Sequence, residues 1–258
     1  MVTRLALAQW RHLADELEPV GITIRAVVVA DDENLEVAAS YGFDTVKMDN
    51  SMLGAKVNAG ISYAGEHGAD FIVTIGSDDW VHPDFFLPLL DGDENGPPPP
   101  MPTDEKPWAV WADGPQVLGG RTMFLVDLMA EEGRMVRSNG AHGVIPWVFP
   151  RAVFAARRFQ PVPRQRLGVD RGLDGAILSG LPTRPGWFYH DPHEMTRVDF
   201  KSSCNLTPYP GLSFNLGYGP VELDPWARLA EHYPAWLVDM ARETCMTLAD
   251  ERAKGDDA

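Results

Sequence analysis

The chain has 258 residues, 45% hydrophobic and 23% charged, with a formal net charge of -15. These proportions fit a folded globular chain rather than a disordered one, and the acidity repels phosphate backbones and anionic membranes, which argues against passive nucleic-acid coating. Cys204 and Cys245 lack CxxC spacing, so neither a zinc knuckle nor a disulfide framework is implied and a reducing cytoplasm fits best; no stretch approaches the roughly 18 apolar residues of a membrane span.

Ala6, Trp10, Leu13 and Leu17 fall at helical spacing until Pro19 and Gly21, so an amphipathic helix opens the chain. Ile22 to Ala30 is β-branched and nearly all apolar, as in a strand covered on both faces, and it ends in the acids Asp31 and Asp32. A helical stretch around Leu35 to Tyr41 and a short strand at Asp44 to Met48 follow. Leu53 to His67 then reads as a helix with Leu53, Val57, Ile61 and Ala64 in one stripe. The next apolar run, from Asp70, stops at Gly76, Ser77, Asp78 and Asp79. This alternation predicts βαβ units and a mainly parallel sheet flanked by helices, with ligands beyond the carboxyl ends of the strands, where both acidic pairs sit.

Asp91 to Pro107 is a proline-dense polar loop with polyproline character. Trp108 to Asp113 and Arg121 to Leu128 read as strands, and Val144 to Phe159 carries turn and helix signals. Thr183 to Gly219 mixes prolines, glycines and aromatics without a period and is expected to be irregular. Asp224 and Pro225 form an N-cap and first-turn pair for helical sequence reaching about Leu248, broken at Pro234.

Two adjacent carboxylates at the end of a buried strand cost several kcal/mol or more unless a cation or a set of donors meets them. In order and spacing, VVVADDEN from Val27, LGAKVNAGISYA from Leu53 and IGSDDWVHPDFF from Ile75 resemble a GT-A glycosyltransferase of the family 2 type, with RGLDGAIL from Arg171 a looser match. The resemblance implies a Rossmann-like GT-A domain over 1–258: a nucleotide-binding half at 1–90, the proline-rich loop at 91–107, and an acceptor-side half with C-terminal helices at 108–258. It further implies a metal-dependent enzyme that moves a sugar from a nucleotide diphosphate, UDP-type foremost, to an acceptor hydroxyl, with inversion.

The same resemblance assigns roles. Asp78 or Asp79 holds Mn²⁺ or Mg²⁺, which neutralises the departing diphosphate, and Asp78 shares nucleotide contact with Asp31 or Asp32. Lys56 and Asn58 lie near the nucleotide, His190 or His193 completes the metal site, and Asp174 is the base, with Asp170 its rival. Ordinary readings stand beside each: turn or cap aspartates, a solvated lysine and surface histidines. Arg151, Arg157, Arg158, Arg164, Arg166 and Arg171 offer forks to a diphosphate or an anionic acceptor, nucleic acid included, or form an exposed helix face.

Two departures matter. Gly76 stands where a first aspartate often does, and the chain opens on a helix where family members begin with a strand. Either the true start lies upstream, or another segment fills the vacancy, or the domain is a noncatalytic carbohydrate- or partner-binding module. A nucleotidyltransferase of related fold is a further alternative, although the N-terminus offers no triphosphate-binding start.

Overall fold

The computed structural model describes residues 2–49, 52–91, 116–138, 144–155, 157–168, 173–181, 186–201 and 216–255. The first third follows the predicted alternation: α1 (Val2–Leu17), β1 (Val27–Ala30), α2 (Asp32–Ser40), β2 (Asp44–Lys47), α3 (Leu53–Glu66) and β3 (Phe71–Thr74). The chain then forms β4 (Asp79–Val81), a 3-10 helix at Pro83–Asp91, β5 (Gln116–Gly120), β6 (Thr122–Asp127), β7 (Glu132–Ser138) and β8 (Val144–Pro150). It closes with α4 (Arg151–Ala155), α5 (Leu173–Gly180), β9 (Gly186–Tyr189), β10 (Arg197–Lys201), β11 (Leu216–Glu222), α6 (Pro225–Ala230) and α7 (Ala235–Gly255). The proline-rich stretch beyond Asp91 and the expected strand at Trp108 to Asp113 lie outside the described residues.

The class is α/β, but the sheets are mixed rather than mainly parallel. Among the described residues β1 and β2 form a two-stranded sheet, β11-β7-β6-β10-β4 a five-stranded one, and β3-β8-β5-β9 a four-stranded one. Among the described residues, only β1–β2, β6–β10 and β5–β9 pair in parallel. The physical reason is connection length: β6 and β7 are joined by the tight turn at residues 128–131, which permits only an antiparallel pair. The region expected to be irregular also contains β9 and the fully buried β10.

Helix α1 is a wedge between two cores. Leu5 and Ala8 join Trp80, Phe124, Val198, Phe200 and the α6–α7 residues Leu229, Tyr233 and Leu237. Trp10, Leu13 and Leu17 pack instead with Val81, Phe85, Phe86 and Val148. A third cluster seats Ile61 of α3 on Ile72, Trp147, Phe149 and Phe154. Asp224 caps α6 as predicted, accepting from the Ala227 N–H at 3.0 Å. No helix among the described residues is long and apolar enough to cross a membrane.

β1 and β3 do not pair with each other. A groove of about 1620 Å³ separates them, walled by both strands and by α1 and α3. Its sides are largely apolar, and Lys56, Asp78 and Lys201 supply charge to its lining.

Candidate metal centre

β3 ends at Thr74, Ser77 and Asp78 make a turn, and Asp79 opens β4 rather than ending the preceding strand. β4 runs antiparallel to β10, setting Asp79 opposite Asp199 and Val81 opposite Arg197. Alternation along β10 puts Arg197, Asp199 and Lys201 on one face. Val198 and Phe200 take the other, where Phe200 meets Trp80 ring to ring at 4.6 Å.

On the polar face, carboxylate oxygens of Asp78, Asp79 and Asp199 come within 4.8 Å of one another. Lys201 Nζ lies 2.7 Å from Asp199 Oδ1 and 3.4 Å from Asp78 Oδ2. The Gly76 N–H donates to Asp79 Oδ2 at 3.0 Å. A Cβ on Gly76 would stand 2.5 Å from Asp78 Oδ1 and 2.6 Å from Asp79 Oδ2, so a side chain there must push both carboxylates aside. Gly76 is thus the residue that leaves room for these two carboxylates to converge.

Burial pushes the Asp79 carboxyl well above the usual range, the charges of Asp199 and Asp78 push it further, and Lys201 and the Gly76 N–H oppose them. Asp199 is pushed up to about 6 by burial and by Asp78, against the pull of Lys201. Burial disfavours the Lys201 ammonium, yet Asp199 and Asp78 together hold its pKa above the ordinary value. Three carboxylates sharing one ammonium are short of positive charge. Their all-oxygen donor set fits a hard divalent cation such as Mg²⁺ or Mn²⁺.

The other predicted residues divide. Asp31 precedes α2, and its Oδ1 accepts from Asn34 Nδ2 at 2.9 Å. Burial lowers the pKa of Lys56, which lies near enough for Asp31 to counter that shift. Asn58 is buried and bonded at both ends of its amide to one residue: Nδ2 donates to the Val162 carbonyl at 2.9 Å, and Oδ1 accepts from the Val162 N–H at 2.8 Å. It fastens α3 to the segment after α4. The side chains of Asp32 and Asp174 lie outside the described residues, as do Asp170 and Arg171 altogether. Of the arginines, Arg151 is exposed and its Nη2 donates to the Gly65 carbonyl at 3.0 Å.

The histidines are not grouped with the acids. His190 Nε2 sits 3.2 Å from the Asp84 carbonyl, while His193 joins His82 and Asp84, whose ligand atoms lie within 4.8 Å of one another. The reason is register. His82 follows the last residue of β4 and His193 precedes β10, so both stand at the end of the strand pair away from Asp79 and Asp199. Burial lowers the pKa of His190 and His82, and burial with the neighbouring His82 and His232 holds His193 down to about 4. Asp191 pairs with the buried Arg197 at 2.6 Å and accepts from the Arg121 N–H at 2.8 Å, a structural joint between them.

Sequence reasoning missed Asp199, Lys201, His82 and Asp84. One signal was present: in RVDFK the charges recur every second residue between Val198 and Phe200, the mark of a strand with one polar face. Neither family models, nor curated proteins, nor solved structures give a match to this chain.

Proposed function

We propose that the protein is a metal-dependent glycosyltransferase that moves a sugar from a nucleotide diphosphate, UDP-type foremost, to an acceptor hydroxyl in the cytoplasm. The observation that carries this reading is the convergence of Asp78, Asp79 and Asp199 beside a groove lined by Asp78, Lys201 and Lys56. Asp78, Asp79 and Asp199 would hold a Mg²⁺ or Mn²⁺ ion, which when bound would supply charge neutralisation to the departing diphosphate. Asp78, Asp79 and Asp199 bind and orient; Lys56 and Lys201 add positive charge toward the phosphates. The acceptor oxygen forms its bond to the anomeric carbon as the carbon–oxygen bond to the diphosphate breaks. The hydroxyl proton passes to a carboxylate, a role that family resemblance gives to Asp174.

The test is calorimetric titration of the full chain with UDP, with and without Mn²⁺, followed by assay of hydrolysis across a panel of nucleotide sugars. Mn²⁺-dependent binding and sugar release are expected, both falling at least about 10-fold in Asp79→Asn, as loss of a metal-site partner does. A wild-type chain that binds no nucleotide in Mn²⁺ overturns the reading.

One observation favours a noncatalytic carbohydrate- or partner-binding module instead: Lys201 already supplies the acids with a cation. Under that reading Asp78→Asn and Asp79→Asn leave ligand affinity unchanged, and chelators have no effect.

A further inference from the structure

Five of the seven histidines, His12, His82, His190, His193 and His232, gather at the end of the β4–β10 pair remote from the acidic cluster, where they act on one another electrostatically. Within this group, His82 Nδ1 lies 3.6 Å and His193 Nε2 3.9 Å from the same oxygen, Asp84 Oδ2. Metal–ligand bonds of about 2.0–2.1 Å in a tetrahedron set ligand atoms about 3.4 Å apart. Both histidine nitrogens therefore stand within about half an ångström of the spacing an ion imposes on the Asp84 oxygen, and all three donors lie within 4.8 Å of one another.

The backbone holds them there. The His82 N–H donates to the Thr196 carbonyl at 2.9 Å, and the His193 carbonyl accepts from Thr196 Oγ1 at 2.5 Å, so a single residue ties both histidine segments together. The Tyr233 ring meets His82 edge-on at 5.7 Å, and His232 stacks on His193 at 4.6 Å, fixing both imidazole planes. His82 also bonds the His232 backbone, the kind of outer contact that orients a metal-binding imidazole.

A second observation points to a ligand. Both ring nitrogens of His193 are sealed from solvent, and neither makes a hydrogen bond. Burying such a group without a partner is unfavourable, a cost the fold carries unless something meets the nitrogen. One contact competes: the Asp84 N–H donates weakly to His82 Nδ1 at 3.3 Å, and an ion would displace it.

We propose that His82, Asp84 and His193 form a second metal site, built for a borderline divalent cation, Zn²⁺ foremost. Two imidazoles and one carboxylate suit that class, whereas the all-oxygen acidic cluster suits harder ions. Three protein ligands leave the fourth tetrahedral position to water. The ion clasps the end of β4 to the segment entering β10, bracing from behind the strand pair that carries the acidic cluster.

The experiment strips the full chain with a chelator and titrates it with Zn²⁺ alone by calorimetry, with Co²⁺ absorption as a second probe. About one tight equivalent is expected, with visible Co²⁺ bands of a four-coordinate site. His82→Ala and His193→Ala should weaken Zn²⁺ by more than the roughly 10- to 100-fold that loss of an outer partner costs, while Asp79→Asn leaves it unchanged. His193→Gln keeps the side chain polar and comparably sized, and its metal-free melting curve shows whether the loss is one of binding or of folding. A wild-type chain that takes up no Zn²⁺ overturns the proposal, as does uptake that survives His193→Gln or disappears in Asp79→Asn.

Discussion

Gly76 and Lys201 set the behaviour of the acidic cluster in opposite ways. A methyl on Gly76 must displace two carboxylates, so Gly76→Ala is expected to cost about 1–3 kcal/mol, as overpacking does, and to weaken Mn²⁺ binding; thermal melts and calorimetry measure the two effects. The pH dependence follows from Asp199. Its folded pKa of about 6 lies above its ordinary 3.8, so the folded chain holds the extra proton between those values. The resulting stabilisation is complete below pH 3.8 and is lost as pH rises through about 6. In chelator, the melting temperature is therefore expected to fall over that window. Lys201→Met, which removes the ammonium opposing both shifts, should steepen the fall and carry it to higher pH, and Mn²⁺ should reverse it. A flat profile in chelator contradicts the account.

The strand pair β4–β10 depends on a joint that takes no part in the proposed chemistry. Arg197 is 1% exposed and donates to Asp191 Oδ1 at 2.6 Å, to the Thr122 carbonyl at 3.0 Å and to the His190 carbonyl at 3.1 Å, with its guanidinium over Phe85. Arg197→Met strands the half-buried Asp191 and leaves the Thr122 and His190 carbonyls without their donor, and it is expected to cost about 3 kcal/mol in urea unfolding. Asn58→Ala unfastens α3 from Val162 at about 1–3 kcal/mol and should leave UDP affinity nearly unchanged, because its amide is committed to the backbone; a large loss of affinity would restore the nucleotide role read from sequence. These elements differ in how far sequence reveals them. α1, α2, α3 and α6 were legible because periodicity and caps are local. Asp78 and Asp79 stood out because they are adjacent. Asp199 and Lys201 did not, because alternating charges on a strand look the same whether that face meets water or another charge, and only pairing with β4 decides it. His193 was read with the wrong partners for the same reason: register, invisible in the sequence, turns it toward His82.

The groove between β1 and β3 divides the fold unequally. β1 and β2 form an isolated two-stranded sheet, marginal by itself, that depends on α2 and α3, whereas β6 and β10 sit inside a five-stranded sheet under α6 and α7. Hydrogen exchange is expected to show the amides of Val27–Lys47 opening at lower free energy than those of β6 and β10; equal protection would mean that the groove is no line of weakness. The α/β class was legible in the sequence, and the mixed sheets were not, since strand direction beyond residue 116 rests on turn lengths and distant pairings. The contact between Asp78 and Lys201 bridges 123 positions, which sets a delay during synthesis. A ribosome adding about 5–20 residues per second needs about 6–25 s to cover that span. Until then Asp78 and Asp79 have left the ribosome without Asp199 or Lys201. The nascent chain must carry two bare acids at the turn into its fourth strand, open to any divalent ion in the surrounding fluid, before its own lysine arrives.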